Sequence, residues 1–311
     1  MNILQTDYIG EWKKFQKSLI SIKKHNRKRV IIIVQYWIGC AGWSYPDWKN
    51  VFYPKKLPQN QWLSYYAEHF SFTEINTTFY QLPPPEMVMN WRDAVPDTFR
   101  FSIKLWQQIT HDSASSELEE RIDQFFIHLS PLKSKISGIL LQFPPRFTFS
   151  EKHQNQILRI LKEIPRTYEY YIELREDSWF NPHEENDEKL IIESIISPFN
   201  NIHIATSYLE GFTAYFPLNQ SNYYLRLVGD RLLEKFDKIQ RNQDKILCEV
   251  EKKIENLNEK QKIDNFFILF NNHFRGFAPQ DAFEFADRLG IKHQVINSQK
   301  TLDQFFKRKN T

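Results

Sequence analysis

The chain has 311 residues, of which 41% are hydrophobic and 15% aromatic, and it contains only eight glycines. This composition predicts a globular protein that buries large rings, and it excludes a disordered or low-complexity chain. Two cysteines, Cys40 and Cys248, exclude a disulfide scaffold and a four-cysteine zinc site. The net charge is +3, but residues 1–29 carry +6, so the remainder carries −3 and is not a broad basic surface for nucleic acid.

Residues 1–35 differ from the rest and are predicted to be a basic amphipathic extension, while residues 36–311 are predicted to form a single domain. Within the extension, apolar residues recur in steps of three or four, which is the pattern of one helix face. These residues are Tyr8, Trp12, Phe15, Leu19 and Ile22. Such a helix packs under the domain, binds a membrane surface or a partner, or is dispensable, and the sequence leaves the three open.

A basic stretch ahead of the apolar run 30–43 resembles a signal peptide, and Ile38-Gly39-Cys40 resembles a lipoprotein cleavage site. Two observations oppose export. The run is too short to span a bilayer, and cleavage at Cys40 would remove the first predicted strand. We therefore expect a cytoplasmic protein with no membrane span.

Short apolar runs that end abruptly at polar residues are typical of buried strands. Helical patterns separate most of these runs, and their predicted starts include Pro85, a Ser116–Glu119 capping box, Ser150 and Asn181-Pro182. The stretch 207–222 has no helical period and is predicted to be a long loop. The eight predicted strands are Tyr36–Cys40, Phe72–Asn76, Phe99–Lys104, Ser137–Gln142, Glu169–Arg175, Asn201–Thr206, Tyr223–Leu227 and Asn265–Asn271.

Eight strands that alternate with helices predict an α/β fold, a (β/α)8 TIM-type barrel with an N-terminal helical extension. A doubly wound open sheet is the competing fold. That fold normally has a glycine-rich first turn, and Gly39-Cys40-Ala41-Gly42 does not match the expected spacing.

In such a barrel the active site lies at the C-terminal ends of the strands. Glu74 and Glu173 are predicted there as a catalytic acid/base pair, because burial raises the pKa of one carboxyl while a nearby cation keeps the other ionised. Lys104 is the third predicted catalytic residue. The alternative is that Glu173 forms a permanent structural ion pair with Arg175 or Lys104, since residues 173 and 175 point to the same face of one strand.

Other polar and aromatic residues near the strand ends are predicted to bind substrate. A mouth lined by rings and cations suits a sugar, a base or a sugar phosphate. The predicted substrate-binding residues are Trp43, Tyr45, Asn76, Tyr80, His111, Gln142, Arg175, Trp179, Arg226, Asn271 and Asn272.

Neither a metal nor a cofactor is predicted. The sequence has no HExxH or paired-cysteine spacing, no P-loop and no serine-elbow pattern. His111 and His273 follow the third and eighth predicted strands, but the cations predicted beside them oppose a divalent ion.

Many of these residues fall in short motifs that follow one another along the chain. The motifs are Gly39-Cys40-Ala41-Gly42-Trp43-Ser44-Tyr45, Phe52-Tyr53-Pro54, Glu74-Ile75-Asn76-Thr77-Thr78-Phe79-Tyr80, Ile109-Thr110-His111, Leu141-Gln142-Phe143-Pro144-Pro145, Glu173-Leu174-Arg175, Ser178-Trp179-Phe180 and Phe270-Asn271-Asn272-His273. Together they resemble the YecE-like family, domain of unknown function 72, from Tyr36 to Gly290. Leu227-Val228-Gly229-Asp230-Arg231 also resembles one branch of that family. The resemblance implies a TIM-type barrel but no settled reaction.

We expect an enzyme, a hydrolase or a lyase, that acts at the C-terminal rim on an anionic, phosphate-bearing sugar or nucleic-acid-like substrate. Convergence of Lys104, Arg175 and Arg226 on one point would be its signature. A metal-free glycoside hydrolase is one alternative, and it requires Glu74 and Glu173 to face each other at roughly 5–10 Å. A non-catalytic nucleic-acid or protein binding protein is the other, and it requires a positive surface beyond the pocket.

Overall fold

Eight parallel strands form a closed barrel in the computed structural model, which describes residues 20–22, 31–112, 115–182 and 190–291. The strands pair in chain order, and the eighth closes the barrel by pairing with the first. They are β1 Gln35–Cys40, β2 Phe72–Ile75, β3 Arg100–Lys104, β4 Ile136–Gln142, β5 Tyr170–Glu173, β6 Ile202–Leu209, β7 Asn222–Gly229 and β8 Asn265–Phe270. The (β/α)8 barrel predicted from the sequence is confirmed.

Two apolar clusters sit on the two faces of the barrel wall, which is why the strands read as nearly continuous apolar runs. The larger cluster lies between the wall and the surrounding helices. The smaller one fills the barrel interior with large rings, as expected for a barrel whose inside is packed side chains rather than a pore. Its members are Phe72, Leu140, Tyr171, Ala205, Tyr224, Phe267 and Leu269.

Helices follow most of the strands, and several begin where the sequence predicts. Pro85 is the first residue of its helix, and the Ser150 hydroxyl accepts a hydrogen bond from the His153 backbone N–H at 3.2 Å. The connection 210–221, between β6 and β7, has no helix, as predicted. The helices are Trp62–His69, Pro85–Asp93, Gln107–Thr110, Leu118–Leu129, Glu151–Glu163, Ile191–Ile196, Asp244–Lys260, Asn272–Arg275 and Ala278–Arg288.

The predicted Ser116–Glu119 capping box is wrong. The helix begins at Leu118, and its preceding residue, Glu117, makes no capping hydrogen bond through its side chain. Arg121 instead binds Glu117 and Asp112, which ties the helix start to the loop before it. The start predicted at Asn181-Pro182 adjoins residues 183–189, which lie outside the described residues, and the helix that is described there is Ile191–Ile196.

Only short pieces of the N-terminal extension belong to the described residues. Ile20–Ile22 forms a strand that pairs antiparallel with Ile31–Ile33. The predicted helix from Tyr8 therefore does not include Ile22, and its remainder lies outside the described residues. Among the described helices, none combines the length and the apolar composition needed to cross a membrane. The cytoplasmic location stays a prediction.

Candidate functional site

The barrel strands deliver a charged layer directly above the interior rings. Residues two apart on a strand face the same side of the sheet, and Phe72, Tyr171 and Tyr224 all lie in the interior cluster. Two positions further on, each of these strands carries a buried charged residue near its C-terminal end. These residues are Glu74, Glu173 and Arg226. The alternation of the strands therefore places ionisable groups on an apolar floor at one end of the barrel.

Arg226 lies at the centre of this layer and binds both predicted catalytic glutamates. Its Nη2 donates to Glu74 Oε1 at 2.7 Å, and its Nη1 donates to Glu173 Oε2 at 2.7 Å. The Tyr224 hydroxyl donates to the other Glu74 oxygen at 2.7 Å. Both carboxylates are fully buried, so the guanidinium neutralises charge that would otherwise be costly to bury.

Arg175 and Ser207 complete the shell around Glu173. The strand β5 ends at Glu173, and the Arg175 side chain turns back so that its Nε and Nη2 donate to Glu173 Oε1 at 3.1 and 2.9 Å. The Ser207 hydroxyl donates to the same oxygen at 2.6 Å. The ion pair that the sequence offered as an alternative role for Glu173 is present.

These contacts decide the charge state of Glu173. Burial alone would raise the pKa of its carboxyl, but the guanidinium groups of Arg175 and Arg226 outweigh burial and hold the pKa well below the usual range. Burial likewise disfavours the charged form of Arg226, and Glu173 and Glu74 reverse that effect, so its pKa is raised. Glu173 and Arg226 therefore form an ionised pair at neutral pH.

Lys104, at the end of β3, lies beside this network without joining it. The side chain is buried, with 7% of its surface exposed, and Nζ lies 3.8 Å from the centroid of the Phe79 ring. The Lys104 ammonium makes no hydrogen bond or ion pair within the described part of the chain. Burial, and next the positive charge of Arg226, lower the pKa of Lys104 to about 7.

The loop after β7 brings a further cation, Arg231, to the same mouth. Burial and the charges of Arg175 and Arg226 lower the pKa of Arg231, so the three guanidinium groups are close enough to repel each other. Arg231 has a positive φ of 65°, which is rare for a residue with a side chain. Gly229, two residues earlier, also has a positive φ, 79°, and a Cβ there would lie 2.2 Å from the His273 carbonyl oxygen.

Comparison with known proteins places this barrel in a family. A family model described as "Protein of unknown function DUF72" matches residues 37–304. The chain belongs to the DUF72 family. The UPF0759 protein YunF of Bacillus subtilis (strain 168) is 26% identical over 292 residues, which cover 86% of this chain and 99% of that protein. The UPF0759 protein YecE of Escherichia coli (strain K12) is 33% identical over 149 residues, 48% of this chain, and the match spans about half of YecE, 52%.

Solved DUF72 structures share the fold. A DUF72 family protein from Thermotoga maritima MSB8 is similar with a TM-score of 0.66 and 22% identity, covering 82% of this chain and 99% of that one. A DUF72 family protein from Enterococcus faecalis V583 is similar with a TM-score of 0.65 and 20% identity, covering 85% and 98%. At this identity the likeness establishes a common barrel and carries no information about substrate.

The predicted aromatic residues of this DUF72 chain occupy different depths around the mouth. Trp179 is fully buried, and its Nε1 donates to the Phe147 carbonyl oxygen. Trp43 packs edge-on against Trp91 and Phe101, and the Tyr45 hydroxyl donates to the Ala41 carbonyl oxygen. Tyr80, with 68% of its surface exposed, is the residue of this set that presents a ring to solvent.

The remaining predicted binding residues line the ends of the strands, and several of them support loops. Asn76 precedes the turn that carries Phe79, and Gln142 pairs in register with Glu173. The Asn271 side chain accepts from the His273 N–H, and Asn272 Oδ1 accepts from Trp48 Nε1 and the Ala278 N–H. His111 is exposed, its Nδ1 lies 2.9 Å from Thr110 Oγ1, and its ring packs on Phe79.

Sequence reasoning missed two residues of the site, Tyr224 and Arg231. Tyr224 has the periodicity signal, because it precedes Arg226 by two positions on one strand. Ser207 is among the polar residues that the sequence places at the strand ends, although it is not one of the predicted binding residues. Arg231 has no such signal, since its position depends on two left-handed backbone conformations in a loop.

Within the described residues, no group of three or more His, Cys, Asp or Glu side chains is placed to hold a metal ion.

Proposed function

We propose that this protein is an enzyme, a hydrolase or a lyase, that acts at the C-terminal mouth of the barrel on an anionic, phosphate-bearing sugar or nucleic-acid-like substrate. The observation that carries the proposal is the surplus of positive charge at the mouth. Glu74 and Glu173 are already bound by Arg226 and Arg175, whereas Lys104 and Arg231 have no carboxylate partner among the described residues. Two cations are therefore available for an anion.

The chemical nature of these cations supports a phosphate ester. A guanidinium is planar and donates hydrogen bonds in a fork that matches phosphate oxygens. Arg175 uses Nε and Nη2 for Glu173, and its Nη1 makes no hydrogen bond within the described chain. The exposed ring of Tyr80 lies near Arg231 and supplies an apolar face on which a sugar or a base stacks.

Lys104 changes protonation near neutral pH, because its pKa is about 7. A group with such a pKa is suited to act as a general base, a general acid or a nucleophile. Glu173 is held ionised by two guanidinium groups and does not serve as a general acid. We therefore assign the chemical step to Lys104 and charge balance to Glu173.

A glycoside hydrolase fits the site less well. That mechanism requires two carboxyl groups with the sugar between them. Here Glu74 and Glu173 both bind the guanidinium of Arg226, which occupies the space between them.

The proposal is tested by calorimetric binding of matched ligand pairs, each a sugar or nucleoside with and without its phosphate. We expect binding of the phosphorylated members only, weakened about tenfold or more by Arg231→Ala, as for loss of a charged hydrogen bond. Lys56→Met, which removes an exposed lysine, is the control and should bind like the parent. Equal affinity for both members of each pair would overturn the proposal. Phosphorus NMR of bound ligands then separates an enzyme from a binding protein, because only an enzyme converts them.

A further inference from the structure

Within the described residues, the Lys104 ammonium differs from the other buried cations because it makes no hydrogen bond and no ion pair. The Lys135 ammonium donates to the carbonyl oxygens of Val95 and Pro96, and Arg226 binds two carboxylates. The Lys104 ammonium has only the face of the Phe79 ring, 3.8 Å away, and no polar partner in the described chain. A buried ammonium normally requires a partner. Within the described chain the amine is therefore not used for a hydrogen bond or an ion pair, which leaves it available to a ligand.

The groups around Lys104 favour the neutral amine. The titratable groups that face it are Arg226, Arg175, Glu74, Glu173 and His111. The two carboxylates direct their oxygens to Arg226, Arg175, Tyr224 and Ser207. Both carboxylates still favour the ammonium form of Lys104, but burial and the positive charges of Arg226 and Arg175 outweigh them and lower its pKa. With a pKa of about 7, Lys104 has an uncharged amine form that is populated at neutral pH.

We propose that Lys104 is a covalent catalytic residue, which forms a Schiff base with the aldehyde or ketone of a substrate that also carries a phosphate. The inference rests on the proposed function, because it uses the same mouth and the same anionic substrate. It goes further by naming the reacting atom, Lys104 Nζ, and the carbonyl group that the substrate must have. Arg231 and the free Nη1 of Arg175 hold the phosphate.

The chemistry requires no oxidant, reductant or metal. The Nζ lone pair forms a bond to the carbonyl carbon, and the carbonyl oxygen takes the proton that the nitrogen loses. That hydroxyl then takes up one further proton and leaves as water while the carbon–nitrogen double bond forms. The product is a cationic imine, which draws electrons from the adjacent carbon and so allows loss of a proton or cleavage of a carbon–carbon bond there. Addition of water reverses the sequence and restores the amine.

Borohydride trapping tests this inference on the full-length protein. The probe is glyceraldehyde 3-phosphate, and the reduced adduct is located by peptide mass spectrometry. We expect one adduct, on Lys104, absent in Lys104→Met and retained in the control Lys56→Met. Glyceraldehyde without phosphate should label at least tenfold more slowly. Labelling should accelerate between pH 6 and pH 8 as the amine loses its proton, whereas an exposed lysine, with a pKa of about 10.4, requires a much higher pH.

Protection with glycerol 3-phosphate, which lacks a carbonyl group, provides a second measurement that needs no variant. We expect it to slow the labelling of Lys104 in the parent protein. Adducts spread over exposed lysines, or an unchanged adduct yield in Lys104→Met, would overturn the inference. If calorimetry detects glycerol 3-phosphate binding but no adduct forms on Lys104, the inferred Schiff base is refuted, while the proposed binding of an anionic substrate at the mouth is retained. If neither is detected, both proposals fail.

Discussion

At the scale of single residues, the site is defined by which charges are already paired. Glu173 accepts hydrogen bonds from Arg175, Ser207 and Arg226, so both of its oxygens are occupied. A catalytic acid needs a proton at working pH, and three donors around one carboxylate favour its ionised form. The structural role of Glu173, which the sequence allowed as an alternative, is therefore favoured over acid/base catalysis.

The substitution Glu173→Gln should destabilise the protein. Glutamine keeps the shape but leaves the charges of Arg175 and Arg226 without their shared partner in a buried site. We expect a loss of about 3–5 kcal/mol in the free energy of unfolding, measured by denaturant titration at pH 7. The control is Glu210→Gln, which removes an exposed carboxylate and should change stability by less than about 0.5 kcal/mol. A Glu173→Gln variant as stable as the parent would contradict the structural role.

The pH dependence of that difference gives an independent check. The pKa of Glu173 is lower in the folded protein than in the unfolded chain, so its stabilisation is present above the unfolded pKa of about 4.3. It is lost as the pH falls below that value, because protons then bind the unfolded chain preferentially. The stability gap between the parent and Glu173→Gln should narrow below about pH 4.3. A gap that stays constant down to pH 3 would show that the carboxylate charge is not its source.

The sequence predicted Glu74, Lys104, Glu173 and Arg226 at the mouth because an abrupt polar residue after an apolar run marks the end of a buried strand. It could not predict that Arg226 occupies both glutamates. That outcome depends on which strands lie opposite each other and on the distance between their side chains across the barrel. Closure of the eight-stranded sheet sets this distance, and the local sequence pattern does not. Arg175 was placed on the strand, but β5 ends at Glu173 and frees the arginine to turn back.

At the scale of elements, the loop after β7 combines backbone strain with function. Gly229 and Arg231 both have positive φ values, 79° and 65°. Glycine adopts this conformation without strain, whereas a residue with a Cβ pays about 1–2 kcal/mol. A strained arginine at the mouth of a barrel fits a residue kept for binding rather than for stability.

Replacing Arg231 separates the two effects. Arg231→Ala removes the guanidinium and keeps the strain, while Arg231→Gly removes both. We expect the glycine variant to be about 1 kcal/mol more stable than the alanine variant in denaturant unfolding, because it relieves the left-handed backbone. Both should bind phosphorylated ligands about tenfold more weakly than the parent, as for loss of a charged hydrogen bond. Equal stability of the two variants would show that the loop stores no strain at this position.

The strands are the elements that the sequence predicts well, because they pack on both faces of the sheet and therefore form continuous apolar runs. All eight strands were found, with ends within a few residues of those observed. The strand β6 runs on to Leu209, past the predicted Thr206, because Ser207 and Tyr208 continue to pair with β7. The predicted helix cap at Ser116 is wrong, because the position of a cap depends on the conformation of the preceding loop. Here Arg121 anchors that loop by binding Asp112.

At the scale of the whole molecule, the charge at the barrel mouth differs in sign from the net charge of the chain that forms the barrel. The chain outside residues 1–29 has a net charge of −3, yet Lys104, Arg175, Arg226 and Arg231 converge on one mouth around the carboxylates of Glu74 and Glu173. Low-dielectric walls focus such a local field on an anionic ligand. The basic N-terminal extension is therefore not needed to explain attraction of an anion to the mouth.

Deleting residues 1–29 should leave both the barrel and its anion site intact. All eight barrel strands begin at Gln35 or later, and the pairing of β8 with β1 closes the barrel without the extension. The deletion does leave Ile31–Ile33 without its partner strand, and an unpaired edge promotes association. A second deletion, of residues 1–33, removes that edge as well and keeps the buried Val34, so it serves as the matched control.

We expect both variants to lose less than about 3 kcal/mol of stability, the value of burying one or two large apolar side chains, and to bind phosphorylated ligands like the parent. A larger loss in both would show that the extension packs on the barrel, and weaker binding with unchanged stability would assign part of the anion site to its basic residues.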